Sequence, residues 1–285
     1  MAVVALRTPQ TSRMRLLVFP REHGAWGILL VPLATGAAVG FTVASGRPFH
    51  LLLFTIAALA LFCLRTPVES LLGTTPMRAN SPAERRKVIL VAAAFAGVAL
   101  LAINALLWNG QNLGLLPLGA VAAVLFAAQT FVRGMGRNAR TASQLIGALG
   151  LTSTAAAAYY VVAGQFDTRA LALWLANWLF AANQVHFVQL RIHGARLVNF
   201  DQKFAHASAF FFGQFGMMVV VAAAACTGHL PLLAVFAFLP VFVRGLLWFF
   251  SGPGPLRVHR LGITELSHAI AFGVLLALSF NFASY

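Results

Sequence analysis

Polar and ionisable side chains set within long apolar runs are the residues through which this chain could do chemistry. The densest such stretch is Asn183-Gln184-Val185-His186-Phe187-Val188-Gln189-Leu190-Arg191-Ile192-His193, with Arg196 just beyond. On a helix, separations of three and seven residues bring Asn183, His186, Gln189 to Leu190 and His193 toward one face. That face would offer amides and imidazoles, with Arg191 at its end. Amides and imidazoles hydrogen-bond a polar head group, and guanidinium forks hold phosphate or carboxylate. The plainer reading is a face whose groups are satisfied by neighbouring amides and hydroxyls. Because ionisable residues inside a membrane are costly, the functional reading is the default.

Three further clusters carry charge beside apolar sequence. Near the start, Phe19-Pro20-Arg21-Glu22-His23-Gly24-Ala25-Trp26-Gly27 sets an acid, a base and an imidazole at a helix opening. Glu22 is placed to complement the helix dipole, as it would be in an ordinary capped start. In Arg65-Thr66-Pro67-Val68-Glu69-Ser70, Arg65 and Glu69 stand four apart and can pair, while Pro67 bends or ends the helix. That pair reads either as structural or as a contact for an anion or lipid head group. In Arg260-Leu261-Gly262-Ile263-Thr264-Glu265-Leu266-Ser267-His268, Glu265 lies a turn inside an apolar run. A carboxylate there requires a partner, such as His268 or an arginine from another loop. Asp201, beside Lys203, reads as a solvated turn residue.

The eight histidines do not form a metal site by spacing. His186 and His193 are not four apart, as two ligands from one helix usually are, and no carboxylate cluster completes a set, so no metal is expected. Haem would need an axial histidine from a facing helix, for which His206 or His268 could serve. Cys63 and Cys226 both lie in apolar runs and read as packing residues.

These groups must be positioned by membrane helices. Hydrophobic residues make up 60% of the 285 and charged ones 9%, far from the roughly 25% charged of soluble domains. Nine apolar segments emerge, at about 24–44, 49–64, 87–107, 112–132, 143–163, 170–190, 205–226, 230–250 and 262–283, each near the length needed to span. Proline and glycine mark the joins at Arg47-Pro48, Ser81-Pro82, Gly134 with Gly136, and Ser251 to Pro255. Basic residues alternate from loop to loop. Arg7, Arg13, Arg15 and Arg21, then Arg65, Arg78, Arg85, Arg86 and Lys87, then Arg133, Arg137 and Arg140, then Arg191, Arg196 and Lys203, then Arg257 and Arg260, with Arg244 in the span before them, fall on one side. Only Arg47 and Arg169 fall on the other. This places the N-terminus inside and the C-terminus outside. The expected fold is therefore an all-α polytopic bundle of about nine transmembrane helices, with residues 1–22 a basic cytoplasmic tail and 23–285 one helical domain. The net charge of +14 then points to anionic lipid head groups on the cytoplasmic face rather than nucleic acid. Trp26, Trp108, Trp174, Trp178 and Trp248 near segment ends fit interfacial anchoring or packing. The pairs Gly36 with Gly40, Gly147 with Gly150, and Gly213 with Gly216 would let helices approach closely.

Two resemblances rest on these residues. Pro20 to Trp26, Arg65-Thr66-Pro67, and Leu261 to Glu265 look like motifs of the YwiC-like family of bacterial membrane proteins, a resemblance that implies no activity. More distantly, nine helices with the N-terminus inside, a first helix led by Arg21 with Pro32 and Gly36, and polar ends to the second and sixth helices resemble the UbiA-type intramembrane prenyltransferases. In that superfamily, aspartate-rich motifs at those two ends hold magnesium for the diphosphate of a prenyl donor. This sequence departs at both places, with only Glu69 at the first and no carboxylate between Asn183 and His193 at the second. Magnesium prefers carboxylate oxygen and water, so metal-assisted ionisation in the usual prenyltransferase manner is not expected here. Arg65, Arg191 and Arg196 could bind an anionic group directly.

The expected function is accordingly an inner-membrane protein that binds or transfers an isoprenoid, quinone or other lipid at a cytoplasmic-side cavity. On this reading Arg65, His186, Arg191 and Glu265 converge on that cavity. The alternative is a non-catalytic subunit or scaffold of a larger respiratory or cofactor-binding complex, its polar helix ends contacting protein partners. A small-solute transporter would call for inverted repeats and polarity at mid-membrane, and neither is visible.

Overall fold

In a computed structural model, the described residues are 14, 16–20, 23–44, 46–73, 78–108, 112–136, 139–252 and 257–282. Most of the basic tail, including Arg21 and Glu22, lies outside them. Ten helices follow in order: α1 His23–Val43, α2 Pro48–Leu72, α3 Pro82–Leu107, α4 Leu115–Gly134, α5 Arg140–Thr152, α6 Thr154–Ala163, α7 Thr168–His193, α8 Phe200–Cys226, α9 Ala234–Phe250 and α10 Val258–Phe282. No strand occurs among the described residues.

Among the described residues, seven segments are long and apolar enough to cross a membrane: Gly24–Val43, Pro48–Leu72, Pro82–Leu107, Leu115–Gly134, Arg140–Ala163, Phe200–Cys226 and Val258–Phe282. The count is lower than the nine read from sequence. One of the two remaining segments, α9, is apolar but has 17 residues, or about 25 Å at 1.5 Å per residue. The other, α7, is long but is interrupted by Asn177, Asn183, Gln184 and Gln189. The crossing at Arg140–Ala163 consists of two helices. At their junction the consecutive hydroxyls of Thr152, Ser153 and Thr154 donate back to the carbonyls of Ala148, Gly150 and Leu151 at 2.7–2.9 Å, a bonding pattern that bends helices. Pro67 does not end α2, which continues to Leu72.

The chain divides into two compact units, one of residues 1–23 and 52–111, the other of 24–51 and 112–285. In the first, Leu17, Val18 and Val88 form a small core backed by Leu71, Val91 and Phe95. Helix α3 begins with a capping box: Ser81 Oγ accepts from Glu84 N at 3.1 Å and Glu84 returns a carboxylate to Ser81 N, satisfying two of the orphan N–H groups.

The second unit is organised around α7, which packs against α5, α6, α8, α9 and α10. Asp167 caps its start, accepting from Arg169 N and Ala170 N at 3.0 and 3.3 Å while Tyr159 donates its hydroxyl to the same carboxylate at 2.8 Å. Trp174 and Trp178 donate their indole N–H groups to the α5 carbonyls of Leu149 and Leu145, so these two tryptophans tie α7 to α5. Phe180 stacks on Phe272 of α10 at 4.1 Å between ring centres, inside a core that includes Tyr159, Leu173, Val221 and Phe238.

Two of the three glycine pairs earn their places by contact. A Cβ on Gly36 would sit 2.0 Å from the Ala155 carbonyl oxygen and one on Gly40 2.8 Å from Val162, so α1 lies against α6 at backbone distance. A Cβ on Gly147 would meet the Gln129 amide at 2.6 Å. Gly213 and Gly216 have no neighbour within 4 Å, so close approach of helices does not explain that pair within the described residues.

Candidate functional site

The arginine that partners Glu265 comes from the adjacent helix, not from a loop. Arg244 stands in the middle of apolar α9 and its Nη1 donates to Glu265 Oε2, with both side chains 10% exposed. Its Nη2 donates to Asn183 Oδ1 at 3.0 Å. The guanidinium lies over the Phe187 ring, 4.0 Å from the centroid, an attraction to the ring quadrupole that strengthens as water is removed. Two helices, α9 and α10, thus supply the charges, and α7 supplies an amide and an aromatic face.

A second layer fixes those groups. Asn183 Nδ2 donates to Gln214 Oε1 of α8 at 3.0 Å and approaches Met217 Sδ at 3.5 Å. Holding the Asn183 amide N–H outward in this way turns its carbonyl oxygen toward Arg244. Gln184 Nε2 donates to the main-chain oxygen of Glu265 at 2.7 Å, tying α10 to α7 at the acid itself. Gly245 makes room: a Cβ there would lie 2.8 Å from Gln214 Oε1. Two buried atoms of this network have no hydrogen-bond partner among the described residues, Arg244 Nε and Glu265 Oε1. Buried polar groups are seldom left so, and each such atom calls for an explanation.

Beside the pair lies an open groove of about 640 Å³, lined by Phe236, Leu239, Pro240, Val243 and Leu247 of α9 together with Arg244 and His268. His268 Nδ1 is 2.7 Å from the Thr264 carbonyl oxygen. A carbonyl can only accept, so Nδ1 carries the hydrogen there.

The residues predicted from sequence fall in several places. Arg21 and Glu22 are outside the described residues, and His23 opens α1. Arg65 and Glu69 pair with each other through Arg65 Nε and Glu69 Oε1 at 2.9 Å, within the first unit. The other candidates belong to the second unit. Asn183 and Glu265 are joined through Arg244, and His268 stands on the groove wall. His186, predicted to share a face with Asn183, is exposed, because the buried face of α7 runs through Asn183, Gln184, Phe187 and Leu190. Gln189 is drawn to α5, donating to Gln144 Oε1 at 2.9 Å, and His193 Nδ1 contacts the Gln189 carbonyl at 2.8 Å. Arg191 is half-buried, and Arg196 is exposed beyond the end of α7.

Lys203 also differs from its sequence reading. It is not a loop charge but a buried residue of α8, 2% exposed. Its ammonium donates to the carbonyls of Trp248, at 2.9 Å, and Ser251, where the end of α9 presents unsatisfied acceptors and the negative pole of its dipole.

Arg244, Gln184 and Gln214 carry the network and were not singled out by spacing. A signal for Arg244 does exist in the sequence: it is the sole charge in Ala234–Phe250, and an isolated intramembrane arginine presupposes a partner.

No curated protein matches the chain. The sequence model of the YwiC-like protein family matches residues 19–159, a span that includes Arg21-Glu22-His23 and the Arg65–Glu69 pair and ends at Tyr159. Over those residues the chain is similar to the YwiC-like family.

Proposed function

We propose that this protein holds a membrane amphiphile in the groove along α9, with its apolar tail on Phe236, Leu239, Val243 and Leu247 and its polar head at Arg244 and His268. One observation carries the reading: an apolar groove of about 640 Å³ has an arginine and a histidine on its wall, and that arginine is oriented from behind by Glu265 and Asn183. Apolar pockets with a few convergent polar groups are the usual form of a small-molecule site. The four apolar side chains are 36–61% exposed, which in a bilayer means that a lipid tail can reach them from the side. Nine crossings, with the N-terminus inside and the C-terminus outside, complete the proposed arrangement, α7 and α9 being the two that join the seven long apolar segments.

The test is to purify the protein in a mild detergent and determine by mass spectrometry which lipids remain bound, for the wild type and for Val243→Trp, which fills the groove from its exposed side. The reading expects a retained amphiphile that the substitution removes. Identical lipid content in the two proteins would overturn it. Labelling of single cysteines placed at Ser81 and Arg169 from each side of the membrane tests the orientation, which expects them on opposite faces.

A further inference from the structure

The polar residues of α7 that do not face Arg244 meet the start of α5. At 3.6 residues per turn, Gln189 points about 120° or more away from Asn183, Gln184 and Phe187, and its Nε2 donates to Gln144 Oε1 of α5 at 2.9 Å. Because Gln144 accepts through its oxygen, both of its own N–H groups remain for another partner. Arg140 stands four residues before Gln144 and so on the same flank of α5. It is exposed and makes no ion pair among the described residues. On α7, His193 gives its Nδ1–H to the Gln189 carbonyl, which can only accept, and its Nε2 is left for another partner. Arg196 is exposed just beyond, and neither α5 nor α7 contains a carboxylate. About 4.5 Å along the axis from Gln189, further from the helix end, His186 is exposed and makes no hydrogen bond among the described residues.

We propose that the start of α5 and the end of α7 form a second binding site, for the head of an anionic phospholipid. A guanidinium fork and two amide N–H groups are donors, and the oxygens of a phosphate are the acceptors that match them. The bilayer brings phosphates to the ends of its membrane helices, and basic pockets between such helices bind phospholipid head groups. His186 separates a lipid from free phosphate. A polar ring beside hydrocarbon is costly unless a ligand brings a hydrogen-bonding group to it, and in a phospholipid the ester carbonyls follow the phosphate inward, where His186 can donate to one. Free phosphate answers Arg140 and Gln144 and leaves His186 unmet. An anionic head is preferred to a zwitterionic one, because a choline or ammonium group brings a further cation to a site where no acid on either helix balances Arg140 and Arg196. The site lies on a different flank of α7 from the groove along α9 and does not depend on it.

The experiment reconstitutes the full chain in nanodiscs of equal parts phosphatidylglycerol and phosphatidylcholine, releases it into mild detergent and weighs the lipids that stay bound by native mass spectrometry. The wild type is expected to retain phosphatidylglycerol over phosphatidylcholine, and Arg140→Gln to weaken that retention about tenfold, the effect of one charged hydrogen bond lost. Arg86→Gln, which removes an exposed cation from α3, is expected to change nothing. Gln144→Met keeps the charge, removes the amide and is expected to weaken retention as well. Arg140 is exposed and unpaired, so its variant is read even where the Gln144 variant does not fold. Equal retention by the wild type and Arg140→Gln, or an equal loss with Arg86→Gln, overturns the site. Full retention by a folded Gln144→Met means that charge alone draws the lipid, and overturns it too. In a parallel arm, inorganic phosphate is titrated onto the chain in nanodiscs of phosphatidylcholine alone. Phosphate binding that Arg140→Gln weakens, without a preference for phosphatidylglycerol in the first arm, overturns the lipid assignment in favour of free phosphate.

Discussion

Two arginine–glutamate pairs lie within apolar helices of this protein, and they are built in opposite ways. Arg65 and Glu69 are four apart on α2, with Arg65 Nε 2.9 Å from Glu69 Oε1. Arg244 and Glu265 are 21 residues apart on two helices, and four further side chains from α7 and α8 hold them in place. The first pair forms wherever the helix forms, because neighbouring turns bring the two residues together. The second exists only when four helices are already packed. A local pair contributes little that tertiary structure could lose, whereas the distant pair makes folding of the second unit depend on meeting each of its charges. It is also the distant pair that retains unmet hydrogen-bonding capacity beside a groove.

The sharpest way to break this contrast is to remove one charge from each pair. Arg244→Gln leaves Glu265 buried without its cation and is expected to destabilise the protein by about 3–5 kcal/mol, measured as the midpoint of thermal unfolding in detergent. Replacing both partners, Arg244→Leu with Glu265→Leu, should recover most of that loss, since a buried pair exchanged for apolar side chains of similar volume is often neutral. Failure of the double substitution to recover would mean that Asn183 and Gln184 depend on the charges themselves. Gly245→Ala, which forces a methyl against the Gln214 amide, is expected to cost about 1–3 kcal/mol and to be relieved by Gln214→Ala. Arg65→Gln, on the local pair, takes a cation from a carboxylate that is 9% exposed and is expected to destabilise the protein by less than Arg244→Gln, because a glutamine at 65 still reaches Glu69 across one helical turn; a loss as large as that of Arg244→Gln would erase the distinction drawn between the pairs. Smallest of all, Gly213→Leu and Gly216→Leu on open positions of α8 should change stability by less than about 0.5 kcal/mol. A larger change, or a shift in oligomer size on gel filtration, would show that this face is in fact covered.

The same contrast explains what could be read from the sequence. Segments of apolar residues marked by Pro and Gly lie close to the helices found, with 24–44 matching His23–Val43 and 87–107 lying within Pro82–Leu107, because apolar run length and turn residues are local properties. The Arg65–Glu69 pair was equally visible, since a separation of four on a helix is itself a distance. The need of Glu265 for a cation could be foreseen from its burial, but not the identity of that cation. Arg244, Asn183, Gln184 and Gln214 are brought together across separations of 21 to 81 residues, and no spacing rule operates over such intervals. His186 illustrates the converse error. It lies three residues from Asn183, near enough for periodicity to group them, but the choice of buried face on α7 is made by Phe187 and Leu190 packing inward, and that choice turns His186 out.

The order of the helices along the chain sets the order in which the partners of Arg244 are made. As the polypeptide emerges, α7 and α8 are made before Arg244, so Asn183 and Gln214 are waiting when α9 arrives. The carboxylate comes 21 residues later. Until then, α9 carries a cation that a bilayer accepts poorly. A chain ending after α9 therefore holds the arginine with an amide and an aromatic ring but without the carboxylate of α10 that pairs with it.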